Sequence, residues 1–444
     1  MKNQSCQKEF FKYCFLSILG MLGVSCYILA DTFFVSKGLK TKGLAALNLA
    51  IPIYNFIHGS GLMLGMGGAT KFSIAKSRNE KENMNKIFTN TIYLSVIFAI
   101  VFVLCGVYGS KFLAACLGAD AAVFEMTDTY LKWLLIFAPA FIINDVLLCF
   151  VRNDGNPKLS MIAMFIGSMA NIALDYIFIF PMQMGIFGAV LATGLSPIIS
   201  VVVMSPHWLK KKNEFHFVKS KLYAKIAKSE LAIGFPSLIA QLSSGIVMII
   251  FNVLILKLQG NTGVAAYGVI ANISLVIVAV YTGIAQGIQP LISKFYGVND
   301  ADSMNQVLRY AMITMLAISC GLYAVIFFFA GPIAGIFNSE NNIELQQSAV
   351  TGLKLYFTSV AFTGYNIIIS QFFASVEKTA PAHILSLLRG FIIMVPMAFF
   401  MSAVWKITGI WLTYPVTELL VMAVGVEMHG RYRKREKEGM GKII

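Results

Sequence analysis

Long apolar runs, separated by short polar clusters, set the pattern of the chain. Runs of bilayer length fall at 12–36, 44–70, 87–109, 130–151, 159–181, 185–208, 231–257, 264–293, 307–337, 350–374, 382–404 and 407–427. Clusters such as Lys76-Ser-Arg-Asn-Glu-Lys81 and Arg152-Asn-Asp-Gly-Asn-Pro-Lys158 break them. A helix rises 1.5 Å per residue, so about 20 apolar residues cross roughly 30 Å of hydrocarbon. The pattern predicts an all-α polytopic membrane protein with twelve spans, numbered 1–12 in chain order. The long second and eighth runs are expected to be tilted or broken helices.

The pattern also repeats. Gly61-x-x-x-Gly65 returns as Gly283-x-x-x-Gly287, and Asn79-Glu-Lys-Glu-Asn-Met-Asn-Lys-Ile-Phe88 as Asn299-Asp-Ala-Asp-Ser-Met-Asn-Gln-Val-Leu308. Leu131-Lys132, Asn144 and Gly188 recur as Leu353-Lys354, Asn366 and Gly409 at the same offset within two residues. Six spans per half leave both halves in one orientation, related by a pseudo-two-fold axis along the membrane normal. This is the plan of transporters that rock two lobes about a central site. The expected lobes are 1–217 and 218–444, with the lysine-rich stretch 209–229 joining them.

Composition agrees with a membrane protein. Hydrophobic residues make up 57% of the 444 and charged residues 13%, against about 25% charged in a soluble domain. A net charge of +14 would suggest nucleic acid in a soluble chain. Here 26 of the 35 Lys and Arg fall on the N-tail, the even-to-odd loops and the C-tail, and seven on the opposite side. That bias places both termini in the cytoplasm of a bacterial-type cell membrane and removes nucleic acid as a partner. The basic N-terminus runs into span 1 without a cleavage site, so span 1 is expected to be retained. The seven cysteines include no C-x-x-C pair, and the histidines lack ligand spacing, so no disulfide and no structural metal site is expected. No phosphate-binding loop or nucleophile elbow is present. The expectation is a monomer surrounded by lipid that is neither an enzyme nor an ATPase. It would need no cofactor and would be driven by an ion gradient.

Acids inside spans are costly and usually face a polar cavity. Asp31 lies about 7–8 Å inside the outer end of span 1. Asp175 of span 5 and Thr193 of span 6 fall about 9 and 12 Å from the same surface. Asn171 is one turn from Asp175, on the same face of span 5. Single Asn and Thr residues in spans often glue helices or bond back to a carbonyl. Two carboxylates at one depth are different. They cannot both stay ionised at close range, so they would share a proton or a cation.

The residues around these positions resemble the multidrug and toxic compound extrusion (MATE) family, in its DinF-type and MepA-like branch. The resemblance rests on Asp31-Thr-Phe-Phe-Val with Gly43-Leu-Ala-Ala, and on Arg152-x-Asp-Gly-Asn-Pro-Lys158. It continues in Asn171-Ile-Ala-Leu-Asp175-Tyr-Ile-Phe-Ile-Phe180, Gly185-Ile-Phe-Gly-Ala-Val-Leu-Ala-Thr193 and Ala285-Gln-Gly-Ile-Gln-Pro290 with Tyr296-Gly297. It implies a cation-coupling site for H⁺ or Na⁺ at Asp31, Asn171, Asp175 and Thr193. It also implies a secondary antiporter that exports amphipathic, cationic compounds. The chain departs from NorM-type relatives in lacking an acid in Gly234-Phe-Pro-Ser-Leu-Ile-Ala-Gln-Leu-Ser-Ser244. It also reads Phe15-Leu-Ser-Ile where many members have Pro in span 1.

Glu418 lies mid-span in span 12, with Tyr414 one turn before it. Glu418 either attracts a cationic substrate or pairs with Arg389, and with Tyr414 and Gln286 it is a candidate for the substrate pathway. Asp145 is expected to pair with a Lys or Arg of its own half, and Lys71 to snorkel. The alternative function is a lipid-linked oligosaccharide flippase of the same architecture. That reading needs a more cationic cavity than the few intramembrane Lys and Arg supply.

Overall fold

The computed structural model describes residues 2–338 and 342–440. Met1, 339–341 and 441–444 lie outside the described residues, and with them the extreme ends of the two expected lobes. Among the described residues all regular structure is helical. Seven helical runs are long and apolar enough to cross a membrane, and an eighth, 124–153, is bent by 46°.

Three of the long runs are broken at a single residue of positive φ: Lys40 (φ 57°, ψ −153°), Gly260 (φ 62°, ψ −154°) and Lys406 (φ 51°, ψ −129°). At each the chain folds back. Tyr27 hydrogen-bonds Tyr54 across Lys40, Phe251 meets Tyr267 across Gly260, and Gly409 abuts the Met401 carbonyl across Lys406. The resulting spans are 1 (2–39), 2 (41–77), 3 (Lys81–Cys116), 4 (124–153), 5 (Pro157–Ile179), 6 (Gly185–Met204), 7 (224–259), 8 (261–297), 9 (Ala301–Phe337), 10 (343–375), 11 (379–405) and 12 (407–440). The predicted twelve are all present. Each half repeats the same positive-φ turns: Lys40 with Gly260, Asn79 with Asn299, Gly155 with Glu377 and Gly185 with Lys406, spaced 220–222 residues apart. The repeat read from side chains is thus written in the backbone as well.

The interruptions differ from expectation. Spans 2 and 8 run unbroken through Pro52 and Pro290, whereas spans 4, 10 and 11 are interrupted and span 9 kinks at Phe329, three residues before Pro332. Span 4 bends at Phe137, two residues before Pro139, whose ring clashes with the carbonyl four residues earlier. Span 11 widens to a π turn over Leu388–Ile392, just before Pro396, which has no N–H to close the regular ladder. Span 10 tightens to a 3₁₀ turn at Phe357–Ser359. Span 1, without a proline in its first half, is helical throughout.

Buried apolar side chains gather in two clusters. One draws on residues 35–227; the other draws on residues 233–421 together with Cys6, Phe10 and Cys14 at the start of span 1. The halves meet where spans 2 and 7 cross, and again where spans 8 and 1 cross, two contacts that the pseudo-symmetry exchanges. Glycine lets the backbones touch. A Cβ on Gly234 would lie 1.8 Å from the Met63 carbonyl oxygen, and one on Gly287 2.6 Å from the Cys14 Cα. Gly234→Ala is therefore expected to cost about 1–3 kcal/mol through overpacking. Gly268→Ala, with open space at its Cβ, is expected to cost nothing. Thermal unfolding of the two purified variants in one detergent checks the pair.

Hydrogen bonds between the halves gather at the end of the bundle that carries the termini. Arg152 donates to the Gln286 side chain at 2.7 Å, Asn153 to Gln289 at 2.8 Å and Gln289 to Thr70 at 2.9 Å. Lys71, expected to snorkel, instead pairs with Glu377 at 2.9 Å and donates to Ser229 at 3.1 Å. The stretch joining the halves is strapped down by span 3. Asn85, Thr89 and Asn90 accept from the backbone of His216, Val218 and Tyr223, while Phe215 is buried against Phe72, Phe88 and Phe150.

Candidate functional site

Span 5 starts on Asn156, whose side chain accepts from Leu159 N, with Pro157 in the first turn where no N–H is needed. From there Ser160, Ala163, Gly167, Ser168, Asn171 and Asp175 follow helical spacing along one buried strip. The small residues let span 6 approach closely: a Cβ on Gly167 would lie 3.2 Å from Ser200 Cβ. Asn171 and Asp175 are thereby held facing spans 1 and 6, out of solvent.

The four predicted residues come together. Asp31, Asn171, Asp175 and Thr193 are all buried. The carboxyl groups of Asp31 and Asp175 lie side by side, close enough that they cannot both stay ionised without a shared proton or cation. Two ionised carboxylates about 4 Å apart would repel by roughly 4 kcal/mol at an effective dielectric near 20. With its amide nitrogen turned towards Asp175, Asn171 donates to Asp175 Oδ2 at 3.1 Å and accepts from Thr193 N at 3.2 Å. The Thr193 hydroxyl donates to the Ala189 carbonyl at 3.0 Å, the back-bond common for threonine in spans. One oxygen of each acid, Asp31 Oδ1 and Asp175 Oδ1, is buried without a protein partner.

A fifth residue belongs to this layer. Tyr130 of span 4 is buried beside Thr193 and faces both acids. Nothing in the sequence set it apart from the other sixteen tyrosines. Among the described residues no three His, Cys, Asp or Glu side chains converge. A metal cation here would therefore draw on amide, hydroxyl and backbone oxygens beyond the two acids.

The remaining candidates lie elsewhere. Glu418 pairs with Arg389: Arg389 Nε donates to Glu418 Oε1 at 2.6 Å, and Asn366 Nδ2 donates to Oε2 at 2.7 Å. Arg389 also donates to Tyr414 at 3.2 Å, and Tyr414 stacks on Tyr356 at 4.8 Å. Both carboxylate oxygens of Glu418 are thus taken up within the second half. Gln286 holds Arg152 across the halves, at the edge of a cavity in the first half. Contrary to expectation, Asp145 pairs with neither a lysine nor an arginine among the described residues. Its Oδ2 lies 2.8 Å from His58 Nδ1, because span 2 presents a histidine, and no lysine or arginine, to that face of span 4. Glu230, just outside the apolar run read for span 7, is fully buried and accepts from Asn90 at 3.3 Å.

Comparison with known proteins matches this architecture. The profile of the MatE family covers residues 17–177 and 236–400. Among curated relatives, the multidrug export protein MepA of Staphylococcus saprophyticus is 25% identical over 397 residues, 88% of this chain and 86% of that protein. MepA of Staphylococcus aureus is 25% identical over 407 residues, 91% of this chain and 89% of that protein. Among solved structures, an outward-facing multidrug resistance MATE family transporter of the MOP superfamily superposes with a TM-score of 0.91. It shares 23% identity and covers 98% of this chain and 97% of its own. A MOP superfamily transporter from Pyrococcus furiosus, described as having a binding pocket of reverse polarity, superposes at 0.89 with 24% identity over 96% of each chain. The chain belongs to the MatE family of membrane transporters.

Proposed function

We propose that the protein is a proton-coupled antiporter that exports amphipathic organic cations, with Asp31 and Asp175 as the coupling acids. The observation that carries this reading is the side-by-side placement of two buried carboxyls, which cannot both stay ionised, with no third His, Cys, Asp or Glu converging on them among the described residues. Asn171, Thr193 and Tyr130 position the pair. Its two unpartnered oxygens are where a second proton would arrive. Names of relatives, which export multiple drugs, support the substrate class.

In this reading residues 1–217 and 218–444 act as the two lobes of a monomer in the cell membrane, with both termini in the cytoplasm. The inter-half bonds at Arg152–Gln286, Asn153–Gln289 and Lys71–Glu377 then close the cytoplasmic side. Protons entering from outside neutralise the acids and weaken their hold on a cationic substrate, which leaves to the same side. A ΔpH of one unit supplies about 1.4 kcal/mol per proton, a tenfold concentration ratio.

The test is ethidium transport in proteoliposomes under separately imposed gradients. ΔpH alone is expected to drive counterflow, and ΔNa⁺ at equal pH is not. Counterflow driven by ΔNa⁺ alone would transfer the site to sodium, and no response to either would remove coupling altogether.

A further inference from the structure

One level below the Asp31–Asp175 contact, towards the end that carries the termini, the first half holds a second acid–base pair. His58 lies mid-way along span 2, and Asp145 lies about 12 Å from the inner end of span 4. Nδ1 of His58 is 2.8 Å from Asp145 Oδ2, and the Asp145 residue is only 3% exposed. The pair lines a cavity of about 70 Å³. That is room for a few waters, far short of the ~300–1,000 Å³ that drug-sized ligands occupy. The cavity suits protons and water better than a drug.

Two tyrosines connect this pair to the layer above. Tyr54, one turn from His58, stacks on the imidazole with ring centroids 6.0 Å apart. Its hydroxyl is hydrogen-bonded to that of Tyr27, which sits one turn from Asp31 on span 1. The titratable and charged groups facing the pair are Tyr27 from span 1, Tyr54 from span 2, and Cys149 and Arg152 from span 4. Spans 5, 6 and 8 present only neutral polar groups, such as Ser168, Ser200 and Gln286. Arg152 is already engaged by Gln286. His58 is the basic group in direct contact with Asp145, and it is one that can take up and give away a proton.

We propose that the Asp145–His58 pair is a second proton-binding site, coupled to the Asp31–Asp175 layer through Tyr54 and Tyr27. In one state Asp145 is ionised beside a His58 imidazolium. When positive charge arrives nearby, the imidazolium releases one proton to the cavity water and becomes neutral imidazole; Asp145 remains ionised. When that charge leaves, the imidazole takes one proton back. The proposal rests on the reading of Asp31–Asp175 as a coupling site only for the partner it responds to. The proton on His58 is counted independently.

The measurement is proton release on adding ethidium to the purified, full-length protein in weakly buffered detergent, followed with a pH-indicator dye near pH 7. Wild type is expected to release about one proton more per bound ethidium than His58→Gln or Asp145→Asn, while both variants still bind the dye. Tyr54→Phe keeps the pair but cuts the link, and is expected to retain part of the extra release. His58→Gln and Asp145→Asn are both read, so poor folding of one leaves the other to decide. Release equal to wild type in a folded variant of either residue would overturn the proposal. Loss of the extra proton in His58→Gln together with unchanged release in Asp31→Asn would keep the second site and remove the first.

Discussion

Replacing Asp31 with asparagine is expected to abolish gradient-driven transport while leaving the protein folded. In proteoliposomes with a ΔpH of one unit, wild type should concentrate ethidium up to about tenfold per coupled proton, and Asp31→Asn should stay at unity. The reason is local. Asparagine keeps the size and hydrogen-bonding reach of the side chain, but it has no site that gains and loses a proton. In the proposed mechanism the proton shared by Asp31 and Asp175 would lose one of its two holders. Asp175→Asn should fail in the same way. Tyr130→Phe removes one hydroxyl from the layer and should only slow transport, since one neutral hydrogen bond contributes about 0.5–1.5 kcal/mol. An Asp31→Asn protein that still accumulated ethidium in response to ΔpH would end the coupling role of this layer.

Much of this layer was legible because depth along a helix is linear in residue number. Counting residues from the span ends put Asp31, Asn171, Asp175 and Thr193 at one level, and spacing by four put Asn171 and Asp175 on one face. Facing across helices is another matter. The rotation of span 4 about its own axis depends on the bend at Phe137, which no hydrophobic pattern reports, so Tyr130 went unnoticed. The partner of Asp145 was missed for the same reason: His58 comes from a different hairpin, and its orientation is set by how spans 2 and 4 cross at Gly61 and Gly65.

Element ends were legible only in part. Span 2 was read as 44–70 and runs over 41–77, because its polar last turns are held by partners distant in sequence. Lys71 meets Glu377, and Lys76 reaches Asp154 at 2.6 Å and Glu214 at 3.0 Å. Hydropathy counts such residues as loop. Packing makes them helix. The sharp reversals at Lys40 and Lys406 were equally hidden. A lysine at positive φ is costly, about 1–3 kcal/mol in such sparsely populated regions, and is tolerated where the spans on both sides fix the turn. The third reversal repeats the first in the backbone, with Gly260 at the position of Lys40 and nearly the same angles.

Glu418 illustrates how a buried charge can be read two ways until its partners are known, and its removal should produce the largest loss of stability. Glu418 is fully buried, and its two carboxylate oxygens accept from Arg389 at 2.6 Å and Asn366 at 2.7 Å. Glu418→Ala would leave the Arg389 guanidinium inside the second half with only the Tyr414 hydroxyl to answer it. Breaking a buried pair from one side typically costs about 3–5 kcal/mol, whereas replacing both partners with apolar groups of similar size is often close to neutral. Glu418→Ala is therefore expected to lower the thermal midpoint by several degrees in detergent, and Glu418→Leu combined with Arg389→Met to recover most of it. Transport in the double variant separates structure from substrate contact. If the pair only holds spans 10, 11 and 12 together, the stable double variant should still export ethidium in response to ΔpH. If Glu418→Ala melts like wild type and yet loses ethidium binding, the acid serves the substrate and its bond to Arg389 is incidental.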